Sequence, residues 1–336
     1  MSETSTQAPA FTLAALSVDA GAETNRIAAR MRDILRGDLR KRGFVIGISG
    51  GIDSAVCAAL AVRAVGSGRV FGLLMPEHDS DPESNRLGEA VAETFGIGHA
   101  VEDIGPALDA MGCYRRRDDA IRRVVPDYGA GWSSKIVFDN ALTAGGYNIS
   151  SLVVRAPDGA MRKLRLPADA YLGIVAATNM KQRTRKQLEY YHADRLNFAV
   201  IGTPNRLEYD QGFFVKNGDG AADIKPIAHL YKSQVYELAA HLGVPEEIRK
   251  RPPTTDTYSL PQTQEEFYFA LPYAKMDACL YALDNGVPAV EAGASIGLSE
   301  AQVEAVWSDI AAKRKVARYL HMSPVLANHG LLRPFD

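Results

Sequence analysis

The chain has 336 residues, 46% of them apolar, with a formal net charge of −2 and three cysteines. That is material for one large core or two small ones, and a balance so near neutral gives no support to a nucleic-acid or membrane role. Cys57, Cys113 and Cys279 lie far apart without a Cys-x-x-Cys pair, which argues against a zinc site or disulfide framework and fits a reducing cytoplasm. No long apolar stretch offers a membrane span. Met1 to Pro9 is polar and lacks a basic-then-apolar signal. Residues 1–21 are expected to form a flexible N-terminal segment, followed by one domain over 22–336.

Residues 22–41 read as an amphipathic helix, with Ile27, Met31, Ile34, Leu35 and Leu39 spaced to share a face. Phe44 to Ile48 then suits a buried strand. It runs into Ser49-Gly50-Gly51-Ile52-Asp53-Ser54 and a helix over Ala55 to Val65. Small residues at 49–51 let backbone N–H groups close on an anion, and the helix N-terminus points its positive end at the same place. The loop is neither a Walker A sequence nor a dinucleotide fingerprint. Asp53 adds a carboxylate beside the phosphates, which suggests a magnesium ion. The alternative is a strand-to-helix turn without a ligand. Cys57, inside the helix, reads as a small core residue.

A second strand runs from Val70 to Met75, then a helix from Glu83 to Phe95 and a short strand from His99 to Ile104. Alternation of this kind predicts a parallel sheet with helices on both faces, with ligands at the C-terminal ends of its strands. Residues 113–170 break the pattern. A basic helix over Tyr114 to Arg123 precedes a glycine-bearing stretch, and Pro157-Asp158-Gly159 sits between two short strands, Ser151 to Ala156 and Met161 to Leu166. This reads as an insertion with a hairpin. It serves either as a lid or interface element or as a surface excursion.

Further on come a helix from Gly173 to Tyr191, a strand from Asn197 to Gly202 and a helix from Tyr231 to Leu242. Glu265 to Asn285 is expected to be helical with a break near Pro272, and Ser299 opens a capped helix to about Tyr319. These make a helical C-terminal extension. Between them lie Gly202-Thr203-Pro204-Asn205-Arg206-Leu207-Glu208, then Phe213-Phe214-Val215-Lys216-Asn217-Gly218-Asp219-Gly220 and Asp223-Ile224-Lys225. A strand-end hydroxyl, an acid one turn later and a glycine-rich loop with Lys and Asp form a costly set for stability alone. Each taken singly still fits a solvated turn.

The Ser-Gly-Gly-Ile-Asp-Ser loop resembles the PP-loop of the ATP pyrophosphatases. With Gly-Thr-x-x-x-x-Glu, Phe-Phe-x-Lys-x-Gly-Asp-Gly, Leu230 to Lys232 and Pro253-Thr254-Thr255-Asp256 in order, residues 25–320 resemble the NAD synthetases. The resemblance implies a Rossmann-like α/β sheet and an ATP-dependent amidation of deamido-NAD through an acyl-adenylate. It implies that Gly47, Ile48, Ser49, Gly50, Gly51, Ile52, Asp53 and Ser54 hold the ATP phosphates, with Thr203, Lys232 and Thr254 also at ATP. Magnesium would fall to Asp53, Glu208 and Thr254. The dinucleotide would meet Asn179, Arg183, Lys216, Asp219, Asp223 and Lys313. Asp53, Lys232 and Asp219 would serve the chemistry. A basic last turn exposed to water accounts for Lys313 nearly as well. Met75-Pro76, Ser80 and Ser84 look more like the synthetase half of glutamine-dependent forms. About forty residues precede the first strand, so an amidase domain is not expected. The expected nitrogen source is therefore free ammonia, or ammonia from a separate glutaminase. A cytoplasmic homodimer is the family's usual state. A PP-loop ligase for another carboxylate, or a non-catalytic nucleotide-binding relative, remain the alternatives.

Overall fold

The computed structural model describes residues 11–138, 150–253, 257–263, 268–269 and 271–327. Chain order begins with α1 (Ala20–Asp33), β1 (Phe44–Gly47), α2 (Ile52–Val65), β2 (Val70–Leu74), α3 (Pro82–Thr94) and β3 (Gly98–Val101). After α4 (Gly105–Ala110), the insertion contributes α5 (Cys113–Arg122), β4 (Ser133–Phe138), β5 (Ser150–Arg155) and β6 (Met161–Arg165). Then follow α6 (Ala168–Leu196), β7 (Ala199–Ile201), α7 (Arg206–Gln211), α8 (Lys232–His241) and α9 (Glu246–Lys250). The C-terminal layer holds α10 (Tyr273–Asn285), α11 (Ala289–Ile296) and α12 (Glu300–His321).

Four parallel strands lie in the order β3-β2-β1-β7, with Phe44 beside Val70 on one side and Ala199 on the other. The expected parallel sheet is therefore present. Phe44 and Ile46 pack against α1, α2 and α8, while Val45, Leu73 and Val200 face Leu108 and Ala193 on the other side. Both faces are covered, which is why these strands read as continuous apolar runs. From β1 the chain moves outward through β2 to β3, then returns to the other side of β1 as β7. The crevice at the carboxyl ends of these strands is the usual ligand position in such sheets.

The first helix stops sooner than its periodicity suggests. It ends at Asp33 and passes into a π-helical turn over Ile34–Asp38, where Gly37 weakens the α-helix. Residues 11–21 also depart from the expected loose segment. Leu13–Leu16 form a 3₁₀ turn, Phe11 stacks on Tyr281 at 5.6 Å, and the Val18 N–H donates to Glu237. Burial of Phe11 and Leu16 among the C-terminal helices explains that order.

The hairpin around Pro157–Gly159 forms as expected, but it is two-thirds of a three-stranded antiparallel sheet, β4-β5-β6. Sequence reasoning missed β4, whose alternating burial at Ser134 and Ile136 is short and follows a glycine-rich stretch. Gly145-Gly146, Thr254 to Asp256 and Glu265, the start of the predicted broken helix, lie outside the described residues. The three cysteines are unpaired and buried. Among the described residues, no helix is long and apolar enough to cross a membrane.

Candidate active site

The strand-to-helix loop is shaped by contacts that only a glycine permits. Gly50 has φ +75°, and a Cβ there would sit 2.4 Å from the Ser84 carbonyl oxygen at the start of α3. The Ser54 hydroxyl donates to the Gly51 carbonyl (2.9 Å) and accepts from the Ser49 N–H (3.3 Å), fixing the turn from within. No side chain caps α2 at Gly51, which leaves its N-terminus to an anion. The loop, residues 47–54, lines a cavity of about 570 Å³.

Asp53 projects from the first turn of α2 and meets two groups brought from far along the chain. The buried Lys232 ammonium donates to its carboxylate, and Asn205 Nδ2 donates to Oδ1 at 3.2 Å. Asn205 and Glu208 form a capping box at the start of α7, so the same two residues that start the helix also aim it at Asp53. Burial, reinforced by the neighbouring Asp53 charge, drives the Glu208 carboxyl well above the usual carboxylate range. Burial opposes the Lys232 charge, but Asp53 and Glu208 outweigh it and raise its pKa. The same setting keeps the buried Cys57 thiol protonated, as a core residue should be.

Asp53 and Glu208 bring hard carboxyl oxygens together beside Lys232. That donor set suits a magnesium ion completing its shell with phosphate oxygens and water. Among the described residues, no group of three or more acidic, His or Cys side chains could bind a metal unaided. Thr254 lies outside the described residues.

Thr203, Asn179 and Asp219 also line the cavity. Asp219 accepts from the Val215 N–H at 2.7 Å, and enclosure raises its pKa. Five other predicted contacts do not line it, and of these Lys232 stays fully buried beside Asp53. Lys216 donates to the Tyr319 and Met322 carbonyls at the end of α12 (2.8 and 3.1 Å), a C-terminal cap. Arg183 donates to the Lys216 carbonyl at 3.2 Å. Asp223 accepts from the Val200 N–H at 2.7 Å and pins its loop to β7. Lys313 pairs with Asp309 (2.7 Å) and donates to the Tyr268 carbonyl.

Sequence reasoning missed a buried ionic cluster on the cavity wall. Lys181 Nζ donates to Glu77 (2.9 Å), Asp79 (2.6 Å) and the Thr257 carbonyl (3.0 Å). Arg117 of α5 donates to Asp79, and the Tyr114 hydroxyl donates to Glu77 at 2.7 Å. Glu189, paired with Lys186 at 2.6 Å, and Arg251, which reaches Ser84 at 3.2 Å, also border the cavity. The Lys-Arg-Pro-Pro run before Thr254 is a local signal for Arg251. No local signal marks the partners of Lys181.

Comparison with known proteins matches the family model described as NAD synthase over residues 24–124 and 151–317. An NH(3)-dependent NAD(+) synthetase of Rhizobium meliloti (strain 1021) is 71% identical over 316 residues, 94% of each chain. One from Rhizobium rhizogenes (strain K84) is 65% identical, covering 93% of this chain and 94% of its own. Among solved structures, NMN synthetase from Francisella tularensis shares the fold, with a TM-score of 0.64 at 24% identity, covering 93% of this chain and all of that one. The matched ranges carry both the phosphate loop and the Asn205–Glu208 turn, and the chain belongs to the NAD synthase family.

Proposed function

We infer that this chain amidates deamido-NAD to NAD with ammonia, consuming ATP and releasing AMP and pyrophosphate. The observation that carries the reading is one cavity lined by the glycine-rich loop, Asp53 and Glu208, with Lys232 buried behind Asp53. Near-full-length relatives at 71% and 65% identity support it.

The substrate carboxylate is a poor acyl donor because its oxygen leaves badly. Its attack on the ATP α-phosphorus forms a new P–O bond and breaks the bond to pyrophosphate. The loop N–H groups and the α2 N-terminus would stabilise the charge that develops on the departing group. Lys232 would hold Asp53 in place and add positive potential. A magnesium ion on Asp53 and Glu208, with Thr254 as a further donor, would supply electrostatic shielding of the phosphates. Ammonia would then add to the acyl carbon. Asp219, with its raised pKa, suits acceptance of the proton released as the C–N bond forms and AMP departs. Asn179 and Thr203 would orient the two nucleotides, and Arg183, Lys216, Asp223 and Lys313 would act by fixing the walls around them.

The chain would work as a homodimer in a reducing cytoplasm. Val316 and Tyr319 on α12, 67% and 64% exposed, support self-association, and three unpaired cysteines support the compartment. A separate glutaminase would be an optional ammonia source. The deciding assay supplies purified protein with deamido-NAD, ATP, magnesium and ammonium, with glutamine or nicotinate mononucleotide substituted in parallel. Equal NAD and AMP with ammonium is expected. Absence of NAD from protein that binds ATP would overturn the substrate assignment.

A further inference from the structure

The family match passes over residues 125–150, and β4 lies within that stretch. β4 acts on the cavity in two ways. Its last residue, Phe138, is on the cavity wall, where its ring meets Tyr171 of α6 edge-on, 6.2 Å between centroids at 77°. Its backbone also carries the segment 257–263. The Leu260 N–H donates to the Ser134 carbonyl (3.2 Å), the Ser134 N–H to the Ser259 hydroxyl (2.9 Å), and the Gln262 amide to the Ile136 carbonyl (2.7 Å). That segment supplies Tyr258, a third ring on the same wall.

Phe138, Tyr171 and Tyr258 join the insertion's own apolar cluster, yet Phe138 and Tyr171 stay half-buried where they border the cavity. Burial raises the pKa of both tyrosines, so the surface they present is neutral and aromatic. All three rings border the cavity, and aromatic surface of this kind attracts a further planar ring. We propose that these three residues form a stacking subsite, completed by Phe138 of the insertion, for the heterocyclic ring of a bound nucleotide. The proposal rests on the functional reading above, which supplies adenine and pyridine rings as its ligands.

The test compares Phe138→Leu, which keeps apolar bulk and loses the ring, with Phe138→Trp, which keeps a ring. KM is measured for ATP, deamido-NAD and nicotinate mononucleotide, together with the thermal midpoint. Phe138→Leu is expected to raise KM for one nucleotide on the order of ten-fold, with the other within two-fold and the midpoint near wild type. Phe138→Trp should restore most of the loss. A rise for ATP alone assigns the ATP adenine. A rise for deamido-NAD without the mononucleotide assigns the dinucleotide's adenine, and a rise for both assigns the pyridine. Unchanged constants throughout, or equal weakening of both nucleotides with a lowered midpoint, would overturn the subsite. Wild-type NAD formation tests the functional reading independently. If it fails, direct titration of ATP onto the same variants decides, and unaltered ATP affinity overturns the proposal.

Discussion

Replacing Lys181 by Met tests how strongly the insertion is tied to the active-site wall. The Lys181 side chain is 2% exposed, Glu77 0% and Asp79 10%, so water screens none of the three appreciably. Removing the ammonium leaves two buried carboxylates short of charge, a change that costs about 3–5 kcal/mol in comparable settings. Tyr114 still donates to Glu77 and Arg117 still pairs with Asp79, which favours the lower end, about 3 kcal/mol. For a chain of this length the unfolding entropy is roughly 0.7 kcal/mol/K, so the midpoint should fall by about 4 °C. Calorimetry at pH 7.5 reads this directly, and adding Glu77→Gln to Lys181→Met should recover part of the loss. A fall below about 1 °C, or a double variant as unstable as the two singles added, would refute the argument.

Gly50→Ala should lose ATP binding and stability together, because φ +75° is strained for alanine and the Ser84 carbonyl stands 2.4 Å from the new methyl. A nucleotide titration and a melting curve at wild-type values would contradict this. Glu208→Gln keeps the capping contact with the Asn205 N–H but removes the anion. It should leave the fold intact and cut kcat on the order of 100-fold, and full turnover would refute a role for the charge. Asp277 accepts the Lys232 and Ser233 N–H groups at the start of α8, and burial pushes its pKa up to about 6. The native state therefore binds more protons than the unfolded chain between about pH 4 and 6. Stability should fall as pH rises through that window, by at most about 3 kcal/mol from this group. Asp277→Asn should flatten the slope in denaturant titrations, and an unchanged slope would exclude Asp277 as its source.

The phosphate loop was legible because strand, glycine turn and helix follow one another within a dozen residues, and each signal is local. Its full need for glycine was not legible. Gly50 reads as backbone freedom, whereas its tightest contact is with Ser84, thirty-four positions away. Glu208 was visible as an acid one turn past the strand, but its burial depends on α2 lying opposite. Lys181 sits inside a recognised basic motif, yet its partners Glu77 and Asp79 lie 104 and 102 residues distant. Lys216 shows the converse. Its motif was plain, and only the packed structure places its ammonium against the end of α12. The alternation of strands and helices made the sheet class legible, but β4 owes its pairing to β5 and to the segment around Leu260 rather than to its own pattern.

The burial of all three cysteines has a practical consequence. Thiol-selective dyes should leave the folded wild-type protein unlabelled, so one engineered cysteine would report from one place only. Ala160, exposed where the hairpin turns into β6, accepts such a change without disturbing an apolar contact. A fluorophore there would follow movement of the insertion's sheet as nucleotides arrive, against a background that the native sequence already keeps dark.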